Sequence, residues 1–315
     1  MCGLAGLIYR EKGAAVGSEM IRMLQALKHR GPDSTGFALY GDGDAEAYVM
    51  RIKFAEQAEM SVGFDIHRQV RERKEQMLRR LEESGAADVE AEDATEYVSK
   101  VRFRGPEEKM KGLIDYLEDI EGAEVLSLGR SLELVKDLGD ASEVGGQYGL
   151  EDFRGTHAIG HTRMATESAV DIRSAHPYWA YPFSDISVVH NGQLTNYWTR
   201  RRGLERSGHR FMSDCDSELI AVYVAERMEK GDDLEEAMRR SLSELDGVFT
   251  YFIATADALG MAKDEMAAKP MVLYEGEDFI AMASEEVAIR SMFPHEIDTY
   301  DPYEGEILAW RVNQP

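Results

Sequence analysis

The chain has 315 residues, 43% hydrophobic and 30% charged, enough to bury a sizeable core as one large domain or two smaller ones. Its net charge of −23 is spread along its length and argues against nucleic acid as a partner; the one basic cluster, Arg200-Arg201-Arg202, reads as a solvated helix face. No apolar run reaches membrane-spanning length, no signal peptide opens the chain, and two cysteines give neither a disulfide framework nor zinc-ligand spacing, so a cytoplasmic protein with no membrane association and no bound metal is expected.

Taken in order, Leu4 to Tyr9 reads as a short strand. A helix follows, with Ser18 as its expected N-cap and Met20, Met23, Leu24 and Leu27 on one face, stopped by Gly31-Pro32. Phe37 to Tyr40 and Ala47 to Lys53 are expected strands on either side of a Gly-Asp turn. Residues 64–155 differ in character and are expected to form an inserted, mostly helical subdomain within a domain spanning 2–315. Its predicted helices are His67 to Glu83, Pro106 to Ile120 and Leu132 to Leu138, with the acidic stretch Asp88 to Glu96 a helix or linker and Val125 to Gly129 a strand. Helix His67 to Glu83 is too charged to extend a core and is expected to stay solvated, which leaves Leu126 to Leu138 as the expected contact with a partner. From Thr156 onward strands dominate: His157 to Arg163, Ile186 to His190, Val248 to Thr255, Met271 to Tyr274 and Phe279 to Met282. Helices Ser217 to Met228 and Leu234 to Leu245 interrupt them. Strands grouped around two helical layers favour helices packed on paired sheets over a doubly wound parallel sheet.

The opening Met1-Cys2-Gly3 carries the sharpest chemical signal. Initiator methionine is normally removed before a small residue, which would give Cys2 both a thiol and a free α-amine. An amine titrating near ~7.7–8.0 beside a thiol near ~8.5 can take the thiol proton directly or through one water, with no histidine required. A buried cysteine packing as a small hydrophobe is the competing reading. Arg163, closing His161-Thr162-Arg163-Met164-Ala165-Thr166, could clamp a carboxylate, although an arginine at a strand end is more often ion-paired. His176 stands before a proline in a rigid loop. His190-Asn191-Gly192-Gln193-Leu194-Thr195-Asn196 is by default a hairpin turn, yet it sets a carboxamide N–H beside a glycine N–H, the donor pair an oxyanion needs. Ser213-Asp214-Cys215-Asp216-Ser217-Glu218 opens a helix with ordinary capping residues, one of which could hold a substrate ammonium; Cys215 reads as packing.

These motifs occur in one order: Cys-Gly at the N-terminus, Arg30-Gly31-Pro32-Asp33-Ser34-Thr35-Gly36, the His-Thr-Arg motif, Ala175-His176-Pro177, the His-Asn-Gly motif and the Ser-Asp-x-Asp-Ser-Glu motif. Together they resemble the class II, N-terminal-nucleophile glutamine amidotransferase domain over residues 1–63 and 156–290. The resemblance implies an α+β fold, a four-layer αββα sandwich, in which Cys2 attacks the glutamine carboxamide and water resolves a γ-glutamyl thioester. It further implies that Arg163 holds the glutamine α-carboxylate and Asp216 its α-ammonium, that Asn191 and Gly192 form the oxyanion hole, that Thr166 and His176 shape the pocket, and that Arg30 and Asp33 order loops beneath the nucleophile. Met164 departs from the family, where an aromatic often helps close the pocket. The long spacing from Ala38 to His161 looks most like separately encoded subunits of glutamate-synthase-like and N-methylglutamate-synthase-like systems. With no room for a synthase domain before Pro315, the ammonia acceptor is expected on another polypeptide, a flavin/iron–sulfur protein that carries the cofactors; two cysteines here cannot hold a cluster and no cofactor is expected in this chain. A stand-alone amidohydrolase and a non-catalytic glutamine-sensing subunit are the alternatives.

Overall fold

The structure, a computed structural model, describes residues 2–44, 46–61, 64–164 and 172–312, with the Phe64 side chain excepted. The first half runs β1 (Gly3–Tyr9), α1 (Val16–Ala26), β2 (Ser34–Tyr40), β3 (Ala47–Lys53), α2 (Gln57–Met60), α3 (Phe64–Glu83), β4 (Ala87–Asp93), β5 (Val98–Arg104), α4 (Met110–Glu118), β6 (Glu124–Gly129), β7 (Leu132–Leu138) and α5 (Ala141–Gln147). After it come β8 (His157–Arg163), β9 (Tyr178–Trp179), β10 (Ser187–Leu194), α6 (Tyr197–Arg206), α7 (Asp216–Glu229) and α8 (Leu234–Glu244). The chain closes with β11 (Gly247–Ala254), β12 (Ala258–Lys263), β13 (Val272–Glu275), β14 (Phe279–Ala283), α9 (Glu286–Arg290) and β15 (Ile307–Arg311).

Two antiparallel sheets stack face to face, one in the order β13-β14-β1-β8-β2-β7 and the other in the order β15-β12-β11-β10-β9. The two-residue period of a strand sorts their side chains. Leu4 and Ile8 of β1, Ala38 and Tyr40 of β2, and Ile159 of β8 point between the sheets, where they join Val189, Phe252, Ala254, Leu259 and Met261. Alternate residues point outward: Ala5, Leu7, Phe37 and Leu39 pack under α1, α5 and α9. On the second sheet Val188, Tyr251 and Ile253 pack against helix residues such as Leu219, Val222 and Met238. This is the expected four-layer αββα sandwich.

Residues 64–155 are mixed rather than α-rich. Besides α3, α4 and α5 they contain β4, β5 and β6, which with β3 form a third sheet in the order β4-β5-β3-β6, while β7 is an edge strand of the first sheet. Leu132–Leu138, expected as a helix, is therefore a strand. Its charged residues mimic an amphipathic helix, but they are buried and paired: Glu133 meets Arg51 at 2.6 Å and Lys100 at 2.8 Å. Burial raises the Glu133 carboxyl, and the two cations outweigh it and hold the group below the usual carboxylate range. The acidic stretch expected as helix or linker is β4, an edge strand whose exposed acids find Lys74, Lys100 and Arg104. Leu126, Leu128, Leu132 and Leu134 are all buried in the chain's own core, which corrects the expectation that this segment meets a partner. Among the described side chains of α3 one stripe (Val70, Met77, Leu81) is buried. Ser18 is not a cap; α1 begins at Val16 and the Ser18 hydroxyl donates back to the Ala15 carbonyl. Among the described residues no helix is long and apolar enough to cross a membrane.

Asp185 pins the β6–β7 hairpin to the second sheet. Its buried carboxylate accepts from the backbone N–H groups of Arg130, Ser131 and Leu132 at 2.8–2.9 Å. Asp185→Ala leaves those donors without an acceptor and is expected to destabilise the fold by on the order of 3 kcal/mol, read from the urea midpoint.

Candidate active site

Cys2 stands immediately before β1, half-buried, with its carbonyl oxygen facing into the protein. That oxygen accepts two side-chain hydrogen bonds, from Arg30 Nε at 3.0 Å and from Asn191 Nδ2 at 2.9 Å. The Cys2 Sγ lies 4.0 Å from the Met164 carbonyl oxygen. Arg30, buried in the short turn after α1, also pairs with Glu285. Burial raises the Glu285 carboxyl, but Arg30 and His29 hold it below its ordinary range. The Asp33 backbone donates to the Arg163 carbonyl at 3.1 Å and accepts from Gly139 N–H at 3.1 Å. Close approach is built in: a Cβ on Gly31 would fall 2.4 Å from the Arg163 carbonyl carbon.

Strand β10 delivers Asn191 and Gly192. Asn-Gly is not a turn here, because the pair stays in register with β11, Asn191 opposite Thr250 and Gly192 opposite Phe249. Gly192 has φ +144°, and a Cβ there would meet the Val248 carbonyl oxygen at 2.2 Å. Only glycine keeps the strand in this path. Asp216 is the first residue of α7 and reaches back to the same strand, accepting from Leu194 N–H at 2.8 Å.

Behind these residues lies a cluster of buried imidazoles. His161 on β8 stacks on His176 with ring centroids 4.2 Å apart. The Ser217 hydroxyl bridges His176 Nε2 at 2.7 Å and His190 Nδ1 at 2.8 Å. His161 Nε2 is 3.3 Å from Asn191 Oδ1. Burial drives every one of these rings toward the neutral form: His161 is pushed down to about 3, His176 well below its ordinary value, and His190 downward despite nearby Asp216. The 3.7 Å contact between His190 Nδ1 and Asp216 is consequently not an ion pair. Lys136 of β7 supports the His176 loop by donating to the Ala175 carbonyl at 3.0 Å; burial lowers its ammonium to about 8.

The structure thus brings Cys2, Asn191, Gly192 and Asp216 to one end of the stacked sheets, with His176 in the wall behind. Arg163, buried, closes β8 opposite Ser34. Thr166 lies outside the described residues, as does Met1. Cys215 caps α7, and burial pushes its thiol up, which fits a packing residue. Sequence reasoning assigned no role to His161, Ser217 or Glu285. The first two stand inside the quoted motifs, which was the available signal; nothing local marks Glu285. Among the described residues no three His, Cys, Asp or Glu side chains are grouped to hold a metal ion.

Comparison with known proteins agrees with this geometry. Residues 161–291 match the family model described as a glutamine amidotransferase domain. A protein of Methanothermobacter thermautotrophicus named as a glutamine amidotransferase is 38% identical over 317 residues, covering 99% of this chain and 100% of that one. Glutamine amidotransferase-like protein GlxB of Rhizobium meliloti is 32% identical over 98% of each chain. The solved glutamine phosphoribosylpyrophosphate amidotransferase of B. subtilis superposes with a TM-score of 0.60 at 18% identity, covering 98% of this chain and 47% of that one, a likeness of fold alone. The chain belongs to the glutamine amidotransferases, a family of enzymes.

The buried imidazoles, including His157, lowered to about 4, set a pH dependence of stability. Unfolded histidine titrates near ~6.5, so below that pH the unfolded chain binds protons that the folded chain refuses. Stability is expected to be full above pH ~6.5 and to fall as pH drops toward 4, by up to about 1.4 kcal/mol per pH unit for each histidine, as urea midpoints taken between pH 7.5 and 5 would report.

Proposed function

We propose that the chain is a glutaminase in which Cys2, freed of Met1, supplies the nucleophile and its own α-amine accepts the thiol proton. The Sγ adds to the glutamine side-chain carbonyl, the C–N bond breaks, and the leaving amine takes the proton and departs as ammonia. Water then cleaves the γ-glutamyl thioester to give glutamate and the free thiol. The observation that carries this reading is the Asn191 carboxamide bound to the carbonyl of Cys2 itself, which fixes an amide donor beside the thiol. Asn191 and Gly192 offer the oxyanion its donors, Arg163 holds the α-carboxylate and Asp216 the α-ammonium, and the family resemblance gives Thr166 and His176 the shaping of the glutamine pocket.

The ammonia goes to a separate subunit, as in glutamate-synthase-like or N-methylglutamate-synthase-like enzymes, and any flavin or iron–sulfur cluster belongs to that partner. This is supported by two relatives that align with this chain over 98% or more of their own length, so amidotransferase chains of this size recur. The isolated chain is expected to hydrolyse glutamine slowly and to speed up when the partner docks; full activity alone, with no protein co-purifying from the native host, would count against a synthase role.

Cys2→Ala is expected to abolish glutamine hydrolysis with the fold intact, and Cys215→Ala to change little. Intact mass should show Met1 removed. Asn191→Ala is expected to lower kcat by roughly 10²–10³ with a smaller change in KM, the usual cost of one oxyanion donor. Arg163→Ala and Asp216→Ala should instead act mainly on KM, because their contacts are alike in ground and transition states. A kcat-dominated loss at Arg163 would contradict the carboxylate assignment.

A further inference from the structure

The orientation of the Asn191 carboxamide is dictated by its neighbours. The Cys2 carbonyl oxygen can only accept, so the Asn191 atom 2.9 Å from it is Nδ2. Oδ1, also only an acceptor, then faces His161 Nε2 at 3.3 Å, and Nε2 must carry a proton. Since a neutral imidazole has one N–H, Nδ1 is bare. Nδ1 is indeed the nitrogen buried without a hydrogen-bond partner. The opposite tautomer would bury an unpaired N–H there and set two lone pairs against each other at Asn191.

We propose that His161 is a positioning residue for the amide-cleaving reaction. Its Nε2–H holds Asn191 Oδ1, which keeps one Nδ2 hydrogen on the Cys2 carbonyl and leaves the other for the substrate's carbonyl oxygen. The inference rests on the reading of Asn191 as an oxyanion donor and assigns what orients it. His161 is itself immobilised. Its ring is clamped by the stack on His176, and His176 is tied through Ser217 to His190, the residue preceding Asn191. The contacts form a closed circuit, Asn191–His161–His176–Ser217–His190, in which Ser217 directly follows Asp216, the proposed site for the substrate ammonium. Occupation of the ammonium site and aim of the oxyanion donor are thereby mechanically linked. An exposed histidine would exchange tautomers; burial, which keeps this ring neutral, lets the two fixed acceptors choose one.

Steady-state glutaminase kinetics of His161→Phe, His161→Gln and Ser217→Ala test this. His161→Phe keeps the ring and loses the donor, and kcat is expected to fall roughly 10- to 100-fold with KM within about twofold, as for a misaimed donor. His161→Gln retains an N–H and should recover most of the lost rate. Ser217→Ala should lower kcat by less than His161→Phe. The iodoacetamide alkylation rate of Cys2 and the thermal midpoint report the thiol and the fold independently. In the background of Asn191→Ala, His161→Phe is expected to cost nothing further, since there is no carboxamide left to aim. Wild-type kcat in His161→Phe, or equal loss in the Phe and Gln variants with thiol and fold intact, overturns the proposal; if His161→Phe does not fold, an unchanged kcat in Ser217→Ala does so. A normal kcat in Asn191→Ala would instead overturn the underlying oxyanion reading.

Discussion

The carbonyl oxygen of Cys2 is the point on which the site turns. A main-chain oxygen at the start of a central strand would ordinarily be spent on a sheet ladder; here it receives a guanidinium and a carboxamide instead. Both donors come from far along the chain, Arg30 from the turn after α1 and Asn191 from the second sheet. One acceptor therefore joins the two sheets where the thiol sits. Arg30 is in turn held by Glu285 beside α9, so the outer helical layer contributes to the same anchor. A nucleophile on a chain terminus has little intrinsic order; this arrangement supplies it through the backbone, while the thiol makes only the long contact with the Met164 carbonyl.

Around that anchor the protein relies on neutral polar groups. Charged imidazoles at this depth would cost several kcal/mol each in desolvation and would repel Arg163 and one another. Kept neutral, each ring makes one directional hydrogen bond, His161 to Asn191 and His176 and His190 to Ser217. Charge is used elsewhere, at the seam between the first and third sheets, where buried Arg51 and Lys53 pair with Glu133 and Glu124, and the half-buried Lys100 joins Glu133. The two regions meet at Lys136, whose ammonium supports the loop bearing His176.

Much of the fold was legible because the scaffold strands are buried on both faces. Leu4 to Tyr9 and Val248 to Thr255 read as short apolar runs, and that is what a doubly covered strand requires. The ordered motifs marked the ends of those strands, so Asn191, Asp216 and Arg163 could be picked out before any geometry was known. Legibility failed where charge and burial part company. Glu133, Lys136 and Asp137 made β7 look helical, since a local pattern cannot tell that the cations facing Glu133 come from β3 and β5. The acids of β4 suggested a linker, although their partners lie across an edge. The hairpin reading of Asn191-Gly192 failed for a related reason: the glycine serves a close approach to Val248 in space, and nothing in the local sequence distinguishes that from a turn. The orienting part of His161 depends on a tautomer, which no sequence encodes.

The core that runs through the seam determines how the molecule can come apart. Tyr48, Met50 and Ile52 of β3 and Leu128 of β6 belong to the same apolar cluster as Leu4, Ile8 and Phe252 of the stacked sheets. A line drawn between scaffold and third sheet crosses buried side chains and the Asp185 clasp, not an exposed linker. The segment is thus not a detachable module. A protease nicking the exposed edge strand β4 would leave the halves held together, and native-state hydrogen exchange would find both sides of the seam opening as one cooperative foldon.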